Sequence, residues 1–150
     1  MSEEGFIAYA AFCIAAYADD MAANFDLPLE KARQVATDQL SGRLPHGINT
    51  EGNHFYCIER ESDAGQALIG YLWFSINREE GFAWLEAIDL FAPFQNQGHG
   101  SEVLALAEAL LSAQGIRSTS LHVFGTNQRA LRFYQRQGYK ITGYNMKKKW

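Results

Sequence analysis

Residues 82–113 read FAWLEAIDLFAPFQNQGHGSEVLALAEALLSA, and three kinds of structure follow one another within them. The first ten residues are an apolar run with several aromatic side chains, which predicts a strand. Residues 101–113 repeat apolar side chains at helical spacing, which predicts an amphipathic helix. Between them lies Phe94–Ser101, FQNQGHGS, with Gly98 and Gly100 one residue apart. A glycine loop between a strand and a helix indicates that the backbone approaches a ligand closely.

The chain before this unit predicts two helices and then two strands. Ser2 is followed by two acidic residues and an apolar face, as at a helix start, and a second helix is predicted from about Pro28. After a turn-rich loop, the runs HFYCIERE, from His54, and ALIGYLWFSIN, from Ala67, predict two strands. The polar turn at residues 77–81 makes the strand FAWLEAIDLF an antiparallel neighbour.

The chain after the glycine loop predicts a strand, a helix and further strand. TSLHVF is the strand, Thr126 or Asn127 caps the helix, and residues 139–150 are expected to end the chain as one or two strands. The order α-α-β-β-β-α-β-α-β predicts an α/β (α+β) fold in which helices flank a mixed central sheet.

Composition indicates one domain over residues 1–150, because no linker, repeat or low-complexity tract divides the chain. The net charge is −4, and the only basic run is residues 147–149, which argues against nucleic acid as a partner. A weakly acidic surface suits a cationic or amine-bearing substrate.

Two features predict a cytoplasmic protein. Cys13 and Cys57 lie in apolar runs and are expected to be buried free thiols, as in a reducing compartment. The first residues, MSEEGF, are acidic where a signal peptide is basic, and no apolar run is expected to span a membrane.

The glycine loop alone leaves its ligand open. The first helical turn and the helix dipole make such a junction an anion site, and glycines at 98 and 100 would remove Cβ atoms that keep a phosphate out. A tight turn without a ligand is the alternative. A dinucleotide fingerprint would need Gly or Ala at position 103, which is Val103, and no Gly-Lys-Ser/Thr sequence for a nucleoside triphosphate loop is present.

Two segments together resemble the GNAT acetyltransferases. Gln95-x-x-Gly98-x-Gly100 is similar to the family's Arg/Gln-x-x-Gly-x-Gly/Ala signature, and Asn127–Tyr139, NQRALRFYQRQGY, is similar to its Asn-x-x-Ala-x-x-Phe/Leu-Tyr-x-x-x-Gly-Phe/Tyr segment. The resemblance covers residues 54–146 well and the first two helices more loosely. One departure is that the family commonly begins with a strand, whereas MSEEGF leads straight into a helix, so either that edge strand is missing or this chain starts late.

The resemblance implies acetyl-CoA as co-substrate and transfer of its acetyl group to an amine. The strand that holds Leu90 would separate from the strand after it, and the pantetheine arm would enter the gap, where the Leu90 backbone polarises the thioester carbonyl. The residues implied in acetyl-CoA binding are Ile88, Asp89, Leu90, Gln95, Asn96, Gln97, Gly98, His99, Gly100, Ser101, Asn127, Ala130 and Tyr134.

The catalytic residues implied are Tyr134 and, provisionally, Glu86. Tyr134 shares a helix face with Asn127 and Ala130, and its phenol would protonate the CoA thiolate as general acid. Glu86 is the first candidate for the base that deprotonates the amine, and Asp89 is the second. Strand alternation predicts that Glu86 shares a face with Ile88 and Leu90 while Asp89 points to the other.

Each assignment has a plainer alternative. Tyr134 could be a packed helix residue like Phe133, the side chains of Ile88 and Leu90 are expected in the core, and His99 is expected to be a solvated loop residue. Arg129 and Arg132 either meet CoA phosphates or are surface charges. The other histidines lack metal-ligand spacing, so no metal is expected.

The function also keeps alternatives. A CoA-binding sensor or interaction module would retain the loop without catalysis, and an unrelated nucleotide-binding domain would bind ATP or NAD instead. The acceptor remains open among antibiotics, polyamines, amino acids and protein N-termini. Aromatic residues in the first helix and Trp150 permit a homodimer without requiring one.

Overall fold

A computed structural model describes residues 1–62, 65–148 and 150 as a mixed four-stranded sheet flanked by helices. The helices are α1 (Glu3–Phe25), α2 (Leu29–Arg43), α3 (His99–Ala113) and α4 (Gln128–Arg136). The strands are β1 (Asn53–Ser62), β2 (Gly65–Asn77), β3 (Phe82–Leu90) and β4 (Ser118–Leu121). They lie in the order β1-β2-β3-β4, antiparallel except for the parallel β3–β4 pair. The predicted fold class is therefore confirmed, and no strand precedes α1 among the described residues.

The helix α1 begins at the predicted cap and is longer and more apolar than expected. The Ser2 hydroxyl accepts a hydrogen bond of 3.1 Å from the Gly5 N–H. By length and composition alone α1 could cross a membrane, so the expectation that no apolar run approaches a span was wrong. Within the fold, α1 buries Tyr9, Ala18 and Met21.

The sheet carries a core on each face, and the two cores involve different helices. Ile69 and Leu85 of the sheet pack with Leu104 of α3 on one face. On the other face the rings of Phe55 and Trp73 pack against Tyr9 of α1. The cavity described below opens on the α1 face, next to the aromatic core.

The strands β3 and β4 separate as the family resemblance implies. They pair only over Phe82–Leu85 and Ser118–Leu121, while β3 continues to Leu90 without β4 beside it. The strand β4 is shorter than predicted, and residues 139–148 and 150 contain no strand, which corrects the expected C-terminal strands. A strand needs a paired neighbour, and Gly143 and the lysines have low β propensity.

A β-bulge at Glu86 changes the direction of the side chains in β3. Trp73 pairs with Ala87 but Phe74 pairs with Leu85, so Glu86 has no partner on β2. A bulge places two successive residues on the same side of a strand. Glu86 bonds to α2, and Ala87 packs in the α1 core. The predicted alternation was therefore wrong: Glu86 faces away from the core that holds Ile88 and Leu90.

Gly70 of β2 allows the sheet to close against β3 beside the bulge. A Cβ added at Gly70 would lie 2.1 Å from the Asp89 carbonyl oxygen and 3.1 Å from the Leu90 Cα, both backbone atoms. We expect Gly70→Ala to lower the free energy of unfolding by about 1–3 kcal/mol, because the two strands must move apart. Urea denaturation measures this. Gly42→Ala is the control, since that position has nothing within 4 Å and lies in a helix that alanine favours. Equal midpoints for Gly70→Ala and the wild type would contradict the expectation.

Candidate active site

A cavity of about 770 Å³ lies between the two N-terminal helices, the separated end of β3 and the start of α4. Its walls contain residues of the helices α1, α2 and α4, the strands β2 and β3, and the segment after β4. The lining residues used below are Cys13, Tyr17, Asp20, Arg43, Trp73, Ser75, Trp84, Glu86, Ile88, Asp89, His122, Phe124, Asn127, Ala130 and Tyr134.

The structure brings some of the predicted site residues into this cavity and places the others beside it. Those in the cavity wall are Glu86, Ile88, Asp89, Asn127, Ala130 and Tyr134. Leu90 and the loop Gln95–Ser101 are not among the described lining residues. They continue from the end of β3 to the first turn of α3. The predicted residues thus form two adjoining parts, a cavity wall and a glycine loop.

The helix α4 presents one face to the cavity. Asn127 is its cap, and the Asn127 Oδ1 accepts a hydrogen bond of 3.0 Å from the Ala130 N–H. One turn farther, the Tyr134 ring packs edge-on against Phe133 and Tyr139, with ring centroids at 5.0 and 5.5 Å. Burial raises the pKa of Tyr134 above its ordinary value, and the negative charge of Asp89 adds to this. The phenol therefore keeps its proton across the neutral pH range.

The glycine loop ends in a left-handed residue that opens the first turn of α3. Gly98 is the cap residue with φ +91°, and a Cβ there would meet no atom within 4 Å. The Ser101 and Glu102 N–H groups donate to the Gly98 carbonyl, at 3.0 and 3.3 Å. The amides of the first turn before them have no intrahelical acceptor. The loop is therefore open toward its outer side and offers N–H donors there.

Two residues of this loop pack against other parts of the fold. A Cβ at Gly100 would lie 3.4 Å from the Phe133 ring, so this glycine also lets α4 pack close to the loop. His99 is not a solvated loop residue, because it begins α3 and its side chain is only 12% exposed. Its ring nitrogens lie 3.3 Å from Arg60 Nη1 and 3.3 Å from Glu102 Oε2.

Gln95 connects the loop to both β3 and α4. Its Nε2 donates to the Leu90 carbonyl at 2.6 Å, and its Oε1 accepts from Arg129 Nη1 at 2.8 Å. Farther along, Gln137 Nε2 donates to Ser101 Oγ at 2.9 Å. The end of β3, the glycine loop and the start of α4 are thus held by side-chain hydrogen bonds, and Arg129 lies beside the position where the family commonly has its own arginine.

The two buried carboxylates of β3 have different surroundings. The side chain of Glu86 is 4% exposed, and its Oε1 accepts from the Arg43 guanidinium and, at 2.7 Å, from Ser75 Oγ. Asp89 makes no ion pair among the described residues. Burial raises the pKa of Asp89 to about 6, with a further contribution from the negative charge of Asp20. Both carboxylates line the cavity, and the raised pKa of Asp89 lies close to neutral pH.

Several lining residues were not predicted from the sequence. Arg43 ends α2, and its guanidinium carbon lies 5.2 Å from the centre of the Trp73 ring. Cys13, Tyr17 and Asp20 lie on one face of α1, three or four residues apart, which is the signal that could have indicated a shared wall. In the described part of the chain, no group of three or more His, Cys, Asp and Glu side chains could hold a metal ion.

Comparison with known proteins places this architecture among the acetyltransferases. Residues 17–139 match the model of the acetyltransferase (GNAT) family. The uncharacterized N-acetyltransferase YycN of Bacillus subtilis is 29% identical over 153 residues, which cover 99% of this chain and 95% of YycN. A crystal structure of YycN superposes with a TM-score of 0.92 at 27% identity, covering 100% of this chain and 95% of that one.

A more distant structure resembles the chain in fold. The PaiA N-acetyltransferase of Thermoplasma acidophilum, crystallised in complex with coenzyme A, has a TM-score of 0.71 at 18% identity, over 97% of this chain and 89% of that one. The family match spans most of the chain, including the glycine loop, the separated strands and the Asn127–Tyr139 segment. The chain belongs to the GNAT family of acetyltransferases and is an acyltransferase.

Proposed function

We propose that this protein transfers the acetyl group of acetyl-CoA to a primary amine by direct attack. The observation that carries the proposal is the cavity, whose wall contains Tyr134 of α4, the separated end of β3 and the partly buried carboxylate of Asp89, beside an open glycine loop. A protein that only bound CoA would have no need for a proton donor and a carboxylate in the same cavity.

The residues beside the cavity fit the polar parts of CoA. The left-handed Gly98 leaves the outer side of the loop open, and the first-turn amides of α3 are donors for a pyrophosphate. Gln95 carries no charge, but it holds the Arg129 guanidinium at the same place. We propose that the loop residues Gln95–Ser101 bind the pyrophosphate and that Arg129 supplies the cation.

The charge of Arg129 gives a direct test of this binding assignment. We expect Arg129→Gln to raise KM for acetyl-CoA about fivefold with kcat unchanged, the equivalent of about 1 kcal/mol for an exposed charged contact. Steady-state kinetics at two salt concentrations measure it, since the difference should shrink as salt screens the charge. Arg136→Gln is the matched control at the other end of α4. If both variants behave alike, Arg129 has no special role.

The end of β3 supplies a backbone donor for the reacting carbonyl. The Phe91 N–H donates to the Ile69 carbonyl at 2.9 Å, so it points toward β2. Successive N–H groups of a strand point to opposite edges, and the Leu90 N–H therefore points toward the gap beside β3. We propose that this N–H and its neighbours bind the pantetheine arm and stabilise negative charge on the carbonyl oxygen.

When bound, acetyl-CoA supplies the activated acetyl thioester. The amine arrives as an ammonium and loses one proton before attack and a second as the N–C bond forms and the C–S bond breaks. Tyr134 Oη donates one proton to the departing sulfur and regains it from water or the product side, so one proton is released overall. Asn127 and Ala130 hold this face of α4 in place.

Asp89 fits the role of base better than Glu86. One oxygen of Glu86 is already shared by Arg43 and Ser75, so this carboxylate stabilises a neighbouring cation. Asp89 is buried beside Tyr134 without such a partner, and a base with a pKa close to the working pH is the most effective. We therefore propose Asp89 as the general base and Glu86 as a group that shapes the acceptor end of the cavity.

Binding and catalysis can be tested separately. We expect acetyl-CoA to raise the melting temperature while ATP and NAD do not, which distinguishes a CoA site from a general nucleotide site. Release of free CoA thiol from acetyl-CoA that depends on an added amine would then distinguish the enzyme from a sensor.

Cys13 and Cys57 are free cysteines, which fits the cytoplasmic location that we propose.

A further inference from the structure

From Tyr134 and the end of β3, the cavity extends toward α1 and α2, and acidic side chains predominate among its charged residues. Three carboxylates line the cavity among the described residues, those of Asp20, Glu86 and Asp89, whereas Arg43 is the one guanidinium. No lysine is among the described lining residues. The acceptor therefore enters a chamber in which negative side chains outnumber positive ones.

The one guanidinium is already engaged inside the protein. Arg43 pairs with Glu86, whose side chain is almost fully buried, and it stacks over the Trp73 ring. Asp20 and Asp89 have no cation paired with them in the described part of the chain. Burial raises the pKa of both carboxyls, and the negative charge of Asp20 raises the pKa of Asp89 further. A positive group placed between them would relieve this repulsion.

Aromatic side chains form much of the remaining wall, beside aliphatic residues and the polar Gln39 and His122. Tyr17 and Phe124 have ring centroids 5.6 Å apart on one side, and Trp73 and Trp84 lie on the sheet side. Aromatic faces attract cations and cover hydrocarbon chains, and they offer nothing to a carboxylate.

We propose that the acceptor is a small primary amine that carries no carboxylate, with its nitrogen near Asp20 and Asp89 and its hydrocarbon body against the aromatic walls. The inference rests on the proposed function, since it names the substrate class for that same site. An amino acid would bring a carboxylate into a chamber whose one guanidinium is already paired. In the step itself the acceptor nitrogen loses two protons, an N–C bond replaces the C–S bond, and the sulfur gains one proton.

Matched amines that differ only by a carboxylate test the proposal. We expect kcat/KM for 1,5-diaminopentane to exceed that for L-lysine, and that for 2-phenylethylamine to exceed that for L-phenylalanine, each by about tenfold or more at saturating acetyl-CoA and pH 8. Equal rates, or faster acetylation of the amino acids, would overturn the proposed acceptor class and leave acetyl transfer itself intact.

A charge variant on α1 tests whether Asp20 causes the preference. Asp20→Asn should lower kcat/KM for 1,5-diaminopentane about tenfold and reduce its advantage over lysine. Glu4→Gln is the matched control, because Glu4 is an exposed carboxylate of the same helix and is not among the described lining residues. Similar ratios in both variants would remove Asp20 from the explanation. Melting temperatures confirm that both variants are folded.

Binding provides a readout that does not need turnover. Calorimetric titration of the CoA-loaded protein should give tighter binding for 1,5-diaminopentane than for lysine. If no amine is acetylated although acetyl-CoA binds, the proposed function fails. In that case, preferential binding of the diamine still supports the charge selectivity of the cavity, and equal or absent binding overturns it.

Discussion

Replacing Tyr134 with phenylalanine is expected to lower kcat by about 10²- to 10⁴-fold, the contribution of a well-placed general acid, while KM for acetyl-CoA changes little. The ring packs edge-on between Phe133 and Tyr139, and phenylalanine keeps those contacts. The change therefore removes a buried proton donor and little else. Steady-state kinetics with saturating amine measure the effect.

A second tyrosine on the same cluster provides the control for Tyr134→Phe. The Tyr139 hydroxyl lies 2.8 Å from Thr119 Oγ1, and Tyr139 is not among the described lining residues of the cavity. Tyr139→Phe should keep kcat within about twofold, although the lost hydrogen bond lowers stability by about 1 kcal/mol. Turnover of Tyr134→Phe at the rate of Tyr139→Phe would remove the phenol from the mechanism.

Replacing Asp89 with asparagine is expected to reduce kcat by a similar factor, about 10²- to 10⁴-fold, and to change the pH profile. The base acts in its ionised form, and the pKa of Asp89 is raised to about 6 by burial. In the wild type kcat/KM should therefore rise as pH increases through about 6. Asp89→Asn should lose this limb, whereas Glu86→Gln should retain it. A limb that disappears in Glu86→Gln and survives in Asp89→Asn would make Glu86 the base.

The same pKa predicts how Asp89 affects stability. Its folded pKa lies above the unfolded value of 3.8, so the folded state binds the proton more tightly. The contribution of this group is complete below the unfolded pKa and is lost as pH rises through about 6. Asp89→Asn should therefore be no less stable than the wild type at pH 8. A kinetic defect in this variant at that pH is then a loss of chemistry rather than of folding.

Much of the fold follows from local sequence patterns. Ser2 and Asn127 cap their helices as predicted, because a side-chain oxygen next to free N–H groups acts locally. The prediction of C-terminal strands was wrong because strand formation depends on a distant partner. The aromatic and β-branched residues of segment 139–144 predict a strand, but a strand forms only against a partner, and the short β4 stands apart from the end of β3. Strand pairing depends on the whole sheet and cannot be predicted from one segment alone.

In the candidate site too, some residues could be predicted from short sequence segments and others could not. Gly98, Asn127 and Tyr134 were predicted because they belong to two short motifs that resemble those of the GNAT family. The direction of Glu86 was not, since the prediction assumed a regular strand and the bulge appears only when β3 pairs with β2. The ion pair of Glu86 with Arg43 joins segments far apart in the chain. The cavity wall formed by α1 and α2 depends on how these helices pack against the sheet. Helical periodicity alone does not predict that packing.

The most direct test of acetyl transfer is to follow both products from one reaction. The protein is incubated with acetyl-CoA that carries a ¹³C-labelled acetyl group and with 1,5-diaminopentane, and mass spectrometry measures the acetylated amine while a thiol reagent measures free CoA. We expect labelled N-acetyl product and CoA in equal amounts, both abolished by Tyr134→Phe on the time scale of wild-type turnover. Acetyl-CoA that stabilises the protein, yet yields no labelled product from any amine tested, would contradict catalysis and leave a CoA-binding protein.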